Sequence, residues 1–305
     1  MKQNSKNQLT GSLLLLICSF IWGSAFVAQT TGAEYVGPFT FIYLRSFLGG
    51  TVLLPVIFIV GKIKGRNSEK EKNDKKSKKT LLIGGLACGT ALCFASVFQQ
   101  AGIDKGTDPG KAGFITALYI LLVPLSSLFL KKRVRPIIWL CIAVSVVALY
   151  LLCVTESNSV ELSDLLVLIC AALYTVHILV IDKVSPHVDG IKLSCIQFYV
   201  AGLISLVPAL IYEGVDLKAI IAAMPSVAYA GIMSSGVAYT LQILGQQKTE
   251  PTLASMIMSL ESVFAVLTSM VLLHLAPTPR EAAGCILMFI AIIVAQLPER
   301  KKKSV

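Results

Sequence analysis

TLASMIMSLESVFAVLTSMVLL, residues 252–273, is 22 residues long and carries one charged residue, Glu261, near its middle. A stretch of that length crosses the hydrocarbon core of a bilayer, about 30 Å, as a single helix. A carboxylate at the centre of such a helix costs about 3 kcal/mol or more, so it turns away from lipid. Two readings are open at this point. Glu261 either makes a structural bond to a neighbouring helix or lines a polar pathway through the membrane, and the rest of the chain bears on the choice.

Working outward, the whole chain of 305 residues is 55% hydrophobic and only 14% charged, with a mean hydropathy of +0.76. A soluble domain that apolar would expose large adhesive patches, so the composition specifies a polytopic membrane protein. The formal charge of +10 sits in short segments between apolar runs, where it fixes topology and gives no reason to invoke nucleic acid. Eight cysteines fall within or at the ends of apolar spans and none has CxxC spacing, which supports neither a disulfide framework nor a zinc site. Met1 to Ile21 imitates a secretory signal, but the apolar run continues to about Gln29 without a small-residue cleavage site, so it reads as a retained first helix.

Ten spans emerge, at 9–29, 38–61, 81–101, 110–130, 136–154, 162–182, 191–212, 226–247, 251–273 and 280–298. Between them lie turn segments such as GTDPG (106–110), SPHVDG (185–190) and APTP (276–279). One long connection, the basic segment 62–79, reads as a solvated cytoplasmic loop, and 299–305 as a basic cytoplasmic tail. With both termini in the cytoplasm, 22 of the 27 Lys and Arg residues fall on the cytoplasmic side, as the positive-inside rule requires. Arg45 is the single Lys or Arg well inside a span. It is expected to snorkel outward or to pair with a loop acid such as Glu34.

The chain also repeats itself. LLLLICSFIW (13–22) matches LLVLICAALY (165–174) at a spacing of 152, which also pairs Gly50 with Gly202 and Arg45 with Gln197. Gln99-Gln100 pairs with Gln246-Gln247 at 147, and Thr107-Asp108-Pro109 with Thr249-Glu250-Pro251 at 142. The halves, 9–154 and 162–298, therefore hold five spans each. Five is odd, so the second half enters from the opposite side, an inverted repeat of the kind found in secondary transporters.

In the order of its motifs the chain resembles the ten-span EamA group of the drug/metabolite transporter superfamily. The resemblance lies in SFIWGSAF (19–26), in Pro38 with Leu44-Arg45, and in KAGFITALYILLVPLSSLFL (111–130). It continues through SMIMSLESVFAVLTSMVLL (255–273) and PTPREAAGCILMFIAIIV (277–294). The Gly-Glu common in that group at the ends of helices four and nine is replaced here by Leu130-Lys131-Lys132 and His274-Leu275, so no role of those glutamates is carried over. The resemblance implies an all-α inner or plasma membrane permease that moves a small organic solute, such as an amino acid or related metabolite, often outward.

Repeat and helical period together nominate the pathway. The face of Glu261 carries Ala254, Met258, Ala265 and Thr268, and a shift of 142 gives Ala112, Thr116, Tyr119, Val123 and Ser126 on span four. Tyr119 stands where Glu261 stands. Cys18, Trp22, Ala25 and Gln29 share a face of span one, and 152 residues on lie Cys170, Tyr174, His177 and Ile181. Span eight adds Ser235, Tyr239, Gln242 and Gln246, opposite Cys88, Leu92, Ala95 and Gln99 of span three. The candidate pathway is Trp22, Thr116, Tyr119, Tyr174, His177, Tyr239, Gln242 and Glu261, with Gln99 and Gln246 either as gates or as bonds between helix ends. His177 is a candidate proton-exchanging group, and protons are a candidate coupling ion through Glu261. Gly85 and Gly89 have the spacing of a close-packing device, within the bundle or between two copies. No Walker, HExxH or GxSxG motif occurs. No cofactor, no metal and no enzyme chemistry are expected; the partners are the bilayer and a small-molecule substrate.

Overall fold

Apolar residues of spanning length leave the backbone only one way to satisfy itself within a single segment in lipid, the α-helix. The structure, a computed structural model, describes residues 2–64, 75–107, 109–129, 134–153, 161–273 and 278–297. Among the described residues nine helical segments are long and apolar enough to cross a membrane, and Pro136–Leu152, at the fifth expected span, is a shorter apolar helix. The first half consists of α1 (Lys2–Ala33), α2 (Pro38–Lys64), α3 (Lys75–Asp104), α4 (Pro109–Ala117), α5 (Tyr119–Phe129) and α6 (Pro136–Cys153). The second consists of α7 (Leu162–Val184), α8 (Gly190–Pro208), α9 (Leu217–Tyr229), α10 (Tyr239–Gln246), α11 (Pro251–Met258), α12 (Glu261–Leu273) and α13 (Pro279–Gln296). The ends of the basic segment 62–79 belong to α2 and α3; residues 65–74 and the tail 299–305 lie outside the described residues.

Four spans depart from regular helices, the seventh only at its end, where it widens into a π-helix over Ala209–Glu213. The fourth is divided at Leu118 into α4 and α5, and the ninth at Ser259-Leu260 into α11 and α12. Around the second break the hydroxyls of Ser255 and Ser259 donate to the carbonyls of Thr252 and Met256 at 2.8 and 2.7 Å. Such side-chain bonds compete with the backbone ladder and bend helices. At Leu118 neither a proline nor a hydroxyl stands at the break. The eighth span starts earlier than the expected residue 226, at Leu217, capped by Asp216. Between α9 and α10 it widens into a π-helix over Ala230–Ala238.

Helices of the two halves interleave. α1 packs on α10 and α12 of the other half, while α7 packs on α3, α4 and α5. α2 crosses α8, α5 meets α11, and α6 pairs with α13. The α2–α8 crossing is reciprocal in detail. A Cβ built on Gly50 would lie 3.1 Å from the ring of Tyr199, and one on Gly202 would lie 3.2 Å from the ring of Phe47. The Phe47 and Tyr199 rings are 6.0 Å apart. Gly85 and Gly89 face Ile196 and the Gln197–Val200 turn of α8, so the close-packing pair works inside the bundle. The N-terminus of α2 is capped from the other half: Phe39 N and Thr40 N donate to the two oxygens of Glu213 at 2.9 and 2.7 Å, which suits the positive end of a helix.

The outer surface is apolar, with Leu82, Leu86, Leu140, Ile286 and Ile293 exposed, whereas Gln197, Gln242, Gln246 and many serines are buried. That inversion of the soluble pattern is what a lipid-facing bundle requires.

Gly23 of α1 sits on the ninth span, where an added Cβ would come within 2.6 Å of the carbonyl oxygen of Glu261. Overpacking of this kind costs about 1–3 kcal/mol, more than the ~1 kcal/mol of helix propensity that alanine gains over glycine. Gly23→Ala is therefore expected to lower the melting temperature of the detergent-purified protein. At Gly61, where nothing lies within 4 Å, Gly61→Ala is expected to leave it unchanged or raise it.

Candidate functional site

The breaks of the fourth and ninth spans and the π segment of the eighth point at one place. Tyr119 is the first residue of α5 and Glu261 the first of α12, so each side chain projects from just beyond a helix break. Tyr119 Oη donates to Glu261 Oε1 at 3.0 Å, and both groups are buried. From the π segment of the eighth span, Ser234 and Ser235 reach the guanidinium of Arg45. Arg45 Nη2 donates to Ser234 Oγ at 3.3 Å and Nε to Ser235 Oγ at 3.2 Å.

Between these groups lies a small cavity lined by side chains of both halves. One wall is aromatic: Trp22, Tyr119, Tyr174 and Tyr239. The Trp22 and Tyr239 rings are 4.7 Å apart and tilted by 59°. The hydroxyls of Tyr174 and Tyr239 share a hydrogen bond at 3.1 Å, and that of Tyr174 also meets Ser96 Oγ at 3.3 Å. Gln29, Gln99, Thr116, Ser234 and Gln242 add neutral polar groups, while Phe26, Ile178 and Met258 complete the lining. Among the described lining residues Arg45 and Glu261 are the charged ones. Trp22 Nε1 and Gln242 Oε1 are buried without a hydrogen-bond partner.

Of the residues nominated from the sequence, Trp22, Thr116, Tyr119, Tyr174, Tyr239, Gln242, Glu261 and Gln99 line this cavity. Gln99 Nε2 donates to Thr116 Oγ1 at 3.0 Å, closing one end with a side-chain pair. His177 and Gln246 stand one layer back. His177 Nε2 lies 3.1 Å from Gln197 Oε1, and its ring packs against that of Tyr239 at 6.0 Å. Gln246 Nε2 donates to the carbonyl of Ile178 at 3.1 Å. Thr268 bonds its own turn, through the carbonyl of Phe264 at 2.6 Å.

Arg45 overturns its expectation. It neither snorkels nor meets Glu34; it is 4% exposed and turned inward, while Glu34 is exposed. The available signal was its position as the lone cation well inside a span, but no charged partner in the sequence marked its direction. Of the two serines that hold it, Ser235 lies on the face of span eight that the helical period marks, and Ser234 stands next to it on the π-helix.

The EamA-like transporter family matches the chain twice, over residues 9–154 and 161–296. An uncharacterized transporter of Archaeoglobus fulgidus is 26% identical over 293 residues, spanning 95% of this chain and 87% of that protein. The uncharacterized transporter YwfM of Bacillus subtilis is 22% identical over 294 residues, 96% of each. A crystal structure of a protein at 19% identity superposes with a TM-score of 0.74 over 93% of this chain and 96% of its own, a likeness of fold. The chain belongs to the EamA-like transporter family: it is a multi-pass membrane transporter and not an enzyme.

Tyr119→Phe removes the donor to Glu261 and leaves a buried carboxyl oxygen without its partner, a loss of about 1–3 kcal/mol. The variant is expected to melt below the parent protein. Tyr212→Phe, at a residue 79% exposed, is expected to melt with it, within ~0.5 kcal/mol.

Proposed function

We propose that this member of the EamA-like family is a secondary transporter of small organic solutes, such as amino acids or related metabolites, working as an exporter by alternating access. The observation that carries the reading is the cavity at the two helix breaks, where Tyr119 and Glu261 meet across the halves. Discontinuous helices at a midplane site are the construction secondary transporters use to line a binding site with polar groups. The family match to each half in turn and the reciprocal packing of α1 and α7 support two five-span units. An odd number of spans per unit makes them an inverted pair with both termini in the cytoplasm, a reading supported by the Lys and Arg distribution of an inner or plasma membrane protein.

In this mechanism the two units rock about the cavity and expose it alternately to each side. Glu261 carries the coupling proton. Ionised, it accepts the Tyr119 hydroxyl; protonated, it presents a neutral wall. Trp22, Tyr174 and Tyr239 give flat surfaces to the apolar part of the solute, and Gln242 an acceptor. His177 and Gln197, behind Tyr239, hold that ring in place. Gln99 with Thr116 and Gln246 with the Ile178 carbonyl secure helix ends on opposite sides of the cavity and part as it opens.

The test uses proteoliposomes loaded with labelled amino acids, with and without an imposed pH gradient. The parent protein is expected to accumulate substrate only while the gradient persists. Glu261→Gln, which keeps an oxygen for Tyr119 but cannot ionise, is expected to equilibrate substrate without accumulating it. Unchanged accumulation in that variant would remove Glu261 as the proton carrier, and equilibration by the parent protein that ignores the gradient would make it a facilitator.

A further inference from the structure

Arg45 is a buried guanidinium on the cavity wall whose hydrogen-bond partners are two neutral hydroxyls, Ser234 and Ser235. A guanidinium has five N–H donors; these two bonds use one on Nε and one on Nη2, and Nη1 has no hydrogen-bond partner among the described residues. A buried cation without an anion is unfavourable to the folded protein, and the fold does not demand this one. At the corresponding position of the other half, 152 residues on, stands neutral Gln197, fully buried and bonded to His177 away from the cavity. The same place in the repeat thus packs with a neutral side chain in one half and holds a charge over the cavity in the other.

We propose that Arg45 is the anion anchor of the transport site and that the transported solute carries a carboxylate, which the guanidinium receives in a forked pair of hydrogen bonds. This rests on the transport reading of the cavity and adds the charge of the solute to it. The guanidinium fork matches a carboxylate in plane and spacing. Trp22 Nε1, a donor without a partner, belongs to the same lining. Acceptors line the same cavity: Gln242, further along the span than Ser234, has an oxygen without a partner, and Glu261 lies on the ninth span. The lining thus combines one cation, Arg45, with acceptors on Gln242 and Glu261 and with aromatic rings. It suits a small organic acid whose far end donates hydrogen bonds, and disfavours the same molecule with its carboxylate capped.

Two matched pairs test this on the full-length protein in detergent: benzoate against benzamide, and phenylalanine against phenylalaninamide, each titrated while the melting temperature is followed. A hydrogen-bonded charge pair discriminates by about tenfold or more. The acids are expected to raise the melting temperature at concentrations at least about tenfold lower than the amides require. Arg45→Met is expected to abolish that difference and, freed of an unpaired buried cation, to melt at or above the parent protein; Arg45→Lys retains part of it. The proposal is overturned if amides act as strongly as acids, if neither acid acts on the parent protein, or if Arg45→Met keeps the preference. It is equally overturned if Arg45→Met melts well below the parent, which would make Arg45 a structural bond. The transport reading has its own arm. Solute flux in proteoliposomes that is indifferent to the carboxylate would sink the anchor and keep the transporter, whereas acid binding without any flux would do the reverse.

Discussion

A carboxyl group in the centre of an apolar bundle must be given a partner before helices can close around it. For Glu261 that partner is Tyr119, at 3.0 Å and from the opposite half of the chain. Neither group could occupy its place alone, since an unpartnered buried polar group is a loss of the same order as a hydrogen bond. Their meeting ties the ninth span to the fourth at the level where both helices are interrupted. The tilted aromatic pair of Trp22 and Tyr239 and the hydroxyl chain from Ser96 through Tyr174 to Tyr239 then close the cavity from the sides. Burial is nearly complete around it; residues 251–263 are buried without exception.

Irregular backbone concentrates where polar side chains must be aimed. Tyr119 and Glu261 each follow a break, and Ser234 and Ser235 sit in a π-helix that brings both hydroxyls onto Arg45. π segments of this kind are rare and recur at functional sites.

Much of this was legible before any coordinates. The membrane class follows from mean hydropathy, and the number of spans from the spacing of apolar runs. The encounter of Tyr119 with Glu261 was signalled by the common spacing of 142 between polar faces of two spans. What stayed hidden has identifiable causes. The break at Leu118 has no proline or hydroxyl to announce it. The start of the eighth span at Leu217 is hidden in the sequence because Pro225 and the small residues beside it resemble a turn. Arg45 is ambiguous in the sequence because a lone cation can escape to the interface or turn inward; Ser235 stands on the face that the helical period marks, but nothing in the sequence ties that face to Arg45. His177 and Gln246 lie on the nominated faces but one layer behind the wall, a distinction of depth that periodicity cannot make.

The interleaving of the halves bears on how the molecule is made. α2 rests on α8, α3 on α7 and α8, and α6 on α13, so the first five spans leave the ribosome before the surfaces they will rest on exist. The glycine faces of α2 and α3 and the uncapped start of α2, which waits for Glu213, must meanwhile be covered by lipid or by an insertion factor. Helices are inserted before they are packed, and here the packing step cannot be divided into two independent folding events. Synthesis of the first half is a period of enforced incompleteness, relieved in steps as α8, then Glu213 and finally α13 arrive.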